Sequence, residues 1–181
     1  MSLDYLDAIA RANPALSHWE ANQLLLALAS GDVRHVLEIG THRGGSARLW
    51  RDALSPDLVV TVDSGDGGVW EGDASGIKRV TGRRSQDPLT QELVRGILAG
   101  RRVDFLFIDG EHAHASVSAD YRAYAPLVRR GGLIALHDVC AYDAPDCGVA
   151  LFWKSLEIDP SLITSVAHEE GRTGIGMVWV E

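Results

Sequence analysis

Five short apolar runs, separated by stretches of helical periodicity, limit the architectures open to this chain. "RHVLEIG" (34–40), "LVVTVD" (58–63), "IKRVTG" (77–82), "VDFLFID" (103–109) and "GLIALHD" (132–138) have strand length and near-continuous apolar character. Runs of that kind suit strands buried on both faces. Their alternation with helices builds βαβ units, hence a mostly parallel sheet with helices on both sides. In "QDPLTQELVRGILAG", Asp87 stands at the cap and Pro88 at the first helical position. Leu89, Leu93, Val94, Ile97 and Leu98 form the apolar stripe there, and Gly100 is the stop. Val117, Tyr121, Tyr124, Ala125 and Val128 recur at helical spacing, and "GVALFWKSLE" (148–157) predicts another helix. An amphipathic segment around "EANQLLLALAS" is expected to pack across the sheet or against a partner chain.

Two stretches depart from plain alternation. "SGDGGVWEGDASG" (64–76), rich in Gly and Asp, predicts a loop. At the end, "LITSVAHEE" and "GIGMVWVE" are joined by only "GRT", too little chain for a helical crossover, so these two strands should pair antiparallel.

A length of 181 residues suits one domain, a helical segment over 1–30 followed by a core over 31–181. The net charge of −8 argues against a nucleic-acid partner, whose binding rests on neutralising phosphates with Lys and Arg. The start lacks a basic segment followed by an apolar one, and no run approaches the roughly 18 apolar residues of a membrane span. Cys140 and Cys147 read as reduced thiols. The expectation is a cytoplasmic protein without a membrane partner. The short scaffold leaves room for a homodimer, and no sequence feature fixes the oligomeric state.

Ligands of open α/β sheets bind beyond the carboxyl ends of the strands. Here those ends carry Glu38-Ile39-Gly40, Asp63, Asp109 and His137-Asp138. Asp63, 25 positions after Glu38, can accept the hydroxyls of a ribose. The glycine pattern is G-T-H-R-G-G, at Gly40, Gly44 and Gly45, rather than G-x-G-x-x-G. A carboxylate at Glu38 disfavours a pyrophosphate and suits S-adenosylmethionine, which carries an amino group and a sulfonium. Its adenosine would lie by Asp63 and its methionine end over Gly40 and Thr41, toward the amides of Gly44 to Ser46.

"VLEIGTHRGGSARLW", "VVTVD" and "VDFLFIDGEHAHASVSADYRAYAPLVRRGGLIALHDV" resemble class I S-adenosylmethionine-dependent methyltransferases. The similarity is greatest to the small-molecule O-methyltransferase branch that includes macrocin O-methyltransferase and cephalosporin-hydroxylase-like proteins. It covers roughly residues 30–181. It implies a Rossmann-like, seven-stranded, mostly parallel sheet ending in an antiparallel hairpin, and methyl transfer to an oxygen of a small-molecule acceptor. The acid of I-D-G-x-H and those after the fifth strand resemble ligands of a divalent cation, mapping onto Asp109 and Asp138. His137 stands where relatives often carry another acid, so magnesium, suited to oxygen ligands, competes with manganese. His112 matches the histidine that acts as a base in similar enzymes, beside Asp109. Ser85 and Gln86, after the third strand, correspond to a turn near the adenine, and Trp70 falls in the Gly-rich loop expected to serve as a lid. Two other readings stay open: a non-catalytic S-adenosylmethionine-binding sensor or partner subunit, and a nicotinamide-dependent oxidoreductase.

Overall fold

Side chains alternate between two cores across a single sheet. The computed structural model describes residues 3–12, 14–65, 70–140, 147–159, 161–167 and 173–181. In chain order these form α1 (Leu3–Ala12), α2 (His18–Leu28), β1 (His35–Ile39), α3 (Gly45–Leu54), β2 (Leu58–Val62), β3 (Ile77–Val80), α4 (Pro88–Leu98) and β4 (Val103–Ile108). There follow α5 (His114–Tyr124), a 3-10 turn (Ala125–Leu127), β5 (Val128–Leu136), α6 (Val149–Ser155), β6 (Ile163–Ala167) and β7 (Gly174–Trp179). The seven strands lie in the order β3-β2-β1-β4-β5-β7-β6. Strands β1 to β5 are parallel, and β7 runs antiparallel to both β5 and β6. The anticipated closing hairpin is present, although residues 168–172 between its strands lie outside the described ones.

On one face Val36, Val59, Phe105, Phe107, Leu133, Ala135 and Ile175 meet Ile9 of α1, Leu24 and Leu25 of α2, and Leu49 and Trp50 of α3. On the other, Leu37, Ile39, Val60, Val62, Leu106, Ile108, Ile134 and Leu136 meet α4, α5 and α6. The period of two along each strand sends successive side chains to opposite cores. The amphipathic N-terminal segment covers the sheet together with α1 and α3. Helix α2 starts at a capping box in which Ser17 and Glu20 satisfy each other's backbone amides.

Three local expectations need correction. Asp87 occupies the cap of α4, but its side chain makes no capping hydrogen bond. The buried stripe of α4 is Thr90, Val94 and Leu98 with Ile97 at its edge, while Leu89 and Leu93 face outward at 49% and 42% exposure. Val128 does not continue α5; it opens β5, because the helix gives way to the 3-10 turn at Ala125. Residues 66–69 of the Gly-rich loop lie outside the described residues. The remainder of 64–76 is loop, as expected.

At the far end of the sheet Asp104, 7% exposed, accepts the amides of Arg34 (2.9 Å) and His35 (2.7 Å) and the guanidinium of Arg129. It fixes the entry to β1 against β4 and β5. The side-chain placement on α4 yields a direct expectation. Leu98→Ala should cost about 2–5 kcal/mol in denaturant unfolding, whereas Leu89→Ala and Leu93→Ala should stay within about 0.5 kcal/mol of the parent. Equal losses at all three positions would contradict the assigned stripe.

Candidate active site

The strand order reverses between β1 and β4, and loops leaving those strands diverge to opposite faces. Gly40 makes the departure, with φ +96°; a Cβ there would stand 2.0 Å from the carbonyl oxygen of Asp109. Asp109 donates its amide to Ile39 O (2.8 Å), and Gly40 donates to Val62 O (2.8 Å). Only glycine allows the ends of β1 and β4 to lie this close. A cleft of about 650 Å³ opens on one side of this contact. A second, of about 210 Å³, opens on the other side. Gly40, His42 and Asp109 line both.

Asp63 organises the loop after Gly40. Its Oδ2 accepts the amides of Thr41 and His42 (2.8 Å each), and its Oδ1 accepts that of Gly65 (2.7 Å). A carboxylate offers about four acceptor sites, so the carboxylate keeps roughly one for a ligand. His42 adopts a left-handed conformation (φ 47°). Gly44, at the cap of α3, offers no side-chain acceptor, so the first amides of this helix remain available at the smaller cleft, where Gly45 and Ser46 lie. Trp70 packs directly over Gly44, where a Cβ would fall 2.5 Å from its ring, and the Arg79 guanidinium sits 4.6 Å from the ring centre. Trp70 therefore braces the glycine loop and does not line either cleft.

Glu38 lies behind that loop rather than on a cleft wall. It is fully buried and accepts Trp50 Nε1 at 2.9 Å. Burial pushes its carboxyl up to about 8, against hydrogen bonds from Ser46 and Trp50, with Asp109 and Asp63 adding to the rise. At neutral pH it is mostly a neutral acid. The expected fixed negative charge beside the ligand is corrected accordingly: desolvation suppresses ionisation, and Glu38 ties α3 to the floor of the loop.

The opposite wall of the large cleft is a network that begins at Ser85, itself 9% exposed. Its carbonyl accepts the Tyr124 hydroxyl at 2.6 Å. Gln86 Nε2 donates to both oxygens of Asp120 (2.9 and 3.0 Å). Asp120 is fully buried, and burial pushes it up to about 6 against the hydrogen bonds from Ser85 and Gln86. Arg84 pairs with Glu111 (2.5 Å) at the rim, and Ser116 holds the same Glu111 oxygen at 2.8 Å.

Asp109 also anchors a histidine–acid cluster. His137 Nδ1 lies 3.2 Å from Asp109 Oδ1 and 3.4 Å from Asp138 Oδ2. His112 Nε2 lies 3.2 Å from Asp138 Oδ2 and 3.7 Å from Asp109 Oδ1. Asp138 turns back toward the cluster through a left-handed backbone, φ 60°. Burial alone would raise Asp109, yet the imidazoles of His112 and His137 beside it hold it below the usual carboxylate range. Burial opposes ionisation of His137 as well, but Asp109, Asp138 and Glu20 push it up to about 12. The neighbouring carboxylates of Asp109 and Asp138 raise His112. One ligand atom each from Asp109, His137 and Asp138 lies within 4.8 Å of the others, a spacing that suits one cation.

Of the residues singled out from sequence, Gly40, Thr41, Ser46, Asp63, Ser85 and Asp109 line the clefts. His112, His137 and Asp138 gather around Asp109. Glu38 and Gly44 support the loop from behind and above. Sequence reading missed Asp120 and Glu20. Asp120 falls among Val117, Tyr121 and Tyr124 on the buried face of α5, and an acid at such a position is the available signal. Glu20 is the last residue of "SHWE", a capping-box pattern ahead of an apolar run.

The folded state binds the Glu38 proton more tightly than the unfolded chain, because its pKa is raised from 4.5 to about 8. That contribution to stability is complete below about pH 4.5 and is lost as pH rises through about 8. Glu38→Gln keeps an acceptor for Trp50 and has no proton to lose. The expected result is that parent and variant share their pH slope below about pH 4.5, that the parent alone loses additional stability between about pH 4.5 and 8, and that the curves run parallel again above that range. Parallel curves throughout would refute the buried neutral acid.

No curated protein matches the sequence. Solved structures do match the fold. MycE methyltransferase from the mycinamycin biosynthetic pathway, in complex with Mg, SAH and mycinamycin VI, superposes with a TM-score of 0.65 at 22% identity, over 96% of this chain and 54% of its own. The chain thus spans about half the length of MycE. Cofactor-bound Rv0187 from MTB gives a TM-score of 0.69 at 25% identity, over 97% and 87% of the two chains. TomG, an O-methyltransferase from Streptomyces achromogenes involved in tomaymycin synthesis and solved with SAM, gives 0.65 at 23%, over 99% and 91%. A methyltransferase-domain family model matches residues 37–139, from within β1 to just past β5, and so takes in the glycine loop, Asp63, Asp109, His112, His137 and Asp138. The chain belongs to this methyltransferase-domain family.

Proposed function

We propose that the protein transfers a methyl group from S-adenosylmethionine to a hydroxyl oxygen of a small molecule. The observation that carries this reading is the meeting of two clefts at Gly40 and Asp109, with His112 and the acid cluster beside that junction. In this reading the adenosine occupies the larger cleft. Asp63 offers its remaining acceptor position to the ribose, and Ser85 and Gln86 lie against the adenine. The methionine carboxylate meets the uncapped amides of α3, where a helix N-terminus favours negative charge. Gly40 and Thr41 lie beneath the sulfonium, and Glu38 holds their loop from below.

Methyl transfer requires the acceptor oxygen to approach the methyl carbon opposite the departing sulfur, and to lose its proton. His112, half exposed and 3.2 Å from Asp138, is the group we assign to take that proton. MycE and TomG are described respectively with mycinamycin VI and in tomaymycin synthesis, and we extend from them only the class: a small-molecule hydroxyl. The net charge of −8 supports that class over nucleic acid. We place the reaction in the cytoplasm, with residues 31–181 as catalytic core and 1–30 as its cover. No helix among the described residues is long and apolar enough to cross a membrane.

The donor set of Asp109, His137 and Asp138 fits a divalent ion: two oxygens and one nitrogen within reach of a single centre. Such an ion would orient the acceptor oxygen and lower the pKa of its hydroxyl. The nitrogen favours manganese or a later transition ion over magnesium.

The test is calorimetric titration of chelator-treated protein with S-adenosylmethionine and its demethylated product, followed by turnover on a panel of hydroxylated acceptors. Micromolar binding is expected, with NAD inert. His112→Ala should lower kcat roughly 10²–10⁴-fold with little change in donor affinity. Parent activity should climb with pH through a pKa above 6.5, the ordinary histidine value. Failure to bind the donor would leave a protein with the fold and without the reaction. Binding without turnover on any acceptor would favour a sensor or partner subunit.

A further inference from the structure

The His137 side chain has a second buried neighbour that belongs to another part of the chain. Glu20, on α2, is 1% exposed, and its Oε1 faces His137 Nε2 at 3.5 Å. Neither atom has a hydrogen-bond partner within normal geometry, although both are buried. The other oxygen of Glu20 is held firmly: Oε2 accepts the amide of Ser17 at 3.0 Å and its hydroxyl at 2.8 Å. The capping box of α2 thus aims a carboxylate oxygen at the back of the imidazole, on the side opposite Asp109 and Asp138.

We propose that Glu20 is a positioning residue for a divalent-ion site formed by Asp109, His137 and Asp138. It holds the Nε2 proton of His137 so that the Nδ1 lone pair faces the ion. This inference rests on the metal reading given above. A ligating imidazole normally donates its other N–H to a carboxylate or carbonyl, which fixes the tautomer and strengthens the ligand. To hold an ion, His137 would release to solvent the Nδ1 proton it now shares with Asp109. The Nε2 proton stays in place, directed at Glu20. Two residues from separate parts of the sequence then replace one oxygen ligand by an oriented nitrogen, and the N-terminal helices become part of the ion site.

Glu20→Gln separates this role from helix capping. Its amide oxygen can take over the Ser17 contacts, since Gln also serves in a capping box. Its NH₂ then faces His137 Nε2 and demands a lone pair there, which places the proton on Nδ1 and blocks ligation. The experiment measures Mn²⁺ and Mg²⁺ binding to chelator-treated parent, Glu20→Gln and His137→Ala, with S-adenosylmethionine affinity measured on the same samples without metal.

The parent should bind Mn²⁺ more tightly than Mg²⁺. Glu20→Gln should lose roughly 10–100-fold in Mn²⁺ affinity, with donor affinity within about twofold of the parent. Parent-like Mn²⁺ binding by Glu20→Gln, with binding lost in His137→Ala, would overturn the positioning role and leave the metal site standing. No ion binding by the parent would overturn both, while donor binding in that same sample keeps the methyl-transfer reading separate. Should the variant not fold, ¹⁵N shifts of His137 in Zn²⁺-loaded parent protein decide. Nδ1 ligated with Nε2 protonated is expected, and Nε2 ligated overturns the proposal.

Discussion

The close approach of Gly40 to the carbonyl of Asp109 is the contact on which the site depends. It occurs where the sheet reverses its strand order, so the loops on either side turn away from each other and leave space between them. A side chain at residue 40 would meet backbone, not a flexible neighbour, and could be accommodated only by separating β1 from β4. Separation would also carry Asp109, together with His112, His137 and Asp138 on the β4–β5 side, away from the glycine loop and Asp63. One backbone contact therefore fixes the cleft junction and the acid cluster together.

The helices and the site are less independent than their positions in sequence suggest. Trp50 on α3 reaches Glu38, Trp70 covers Gly44, and the first turn of α2 reaches His137 through Glu20. The links from Trp50 and Glu20 tie covering helices to residues at strand ends, and Trp70 braces the glycine loop between them. The cover on the α1–α3 face thus serves both as hydrophobic packing for Phe105, Phe107 and Leu133 and as the scaffold that sets the site's polar groups.

Much of this was legible in the chain itself, for a physical reason. Parallel strands buried on both faces must be apolar almost throughout, so their boundaries are sharp, and the polar residue that ends each run lies where ligands bind. Asp63, Asp109 and Asp138 were visible on that basis, and the closing hairpin followed from a connection too short to cross the sheet. Side-chain direction was not legible to the same degree. Leu89 and Leu93 fit a helical stripe by spacing, yet the stripe that faces the sheet runs through Thr90, Val94 and Leu98. Glu38 stood at the right place in sequence, but whether it faced ligand or core depends on strand parity and on Trp50. Glu20 and Asp120 escaped notice because their partners, His137 and Gln86, lie 117 and 34 positions away.

Four acids, three buried and one partly buried, illustrate how partner, rather than depth, sets charge. Glu38 and Asp120 meet neutral donors, Trp50 and Ser46 in one case and Gln86 and Ser85 in the other, and both rise, to about 8 and about 6. Glu20 is buried and Asp109 partly so, yet each faces an imidazole, and each falls, Glu20 to about 2, because His137, with His112 beside Asp109 and with Thr173 and Ser17 beside Glu20, outweighs the desolvation that burial imposes. The chain thereby sorts its carboxyls by location. Those behind the glycine loop and beneath Gln86 are shifted toward neutrality, where an added charge would have no counterion. Those around His137 keep their charge, because the imidazoles beside them supply the opposite one. A substitution that removed His137 would leave Glu20 without its cationic neighbour and Asp109 with His112 alone, so the imidazole links the electrostatics of the two carboxyls whether or not it ligates an ion.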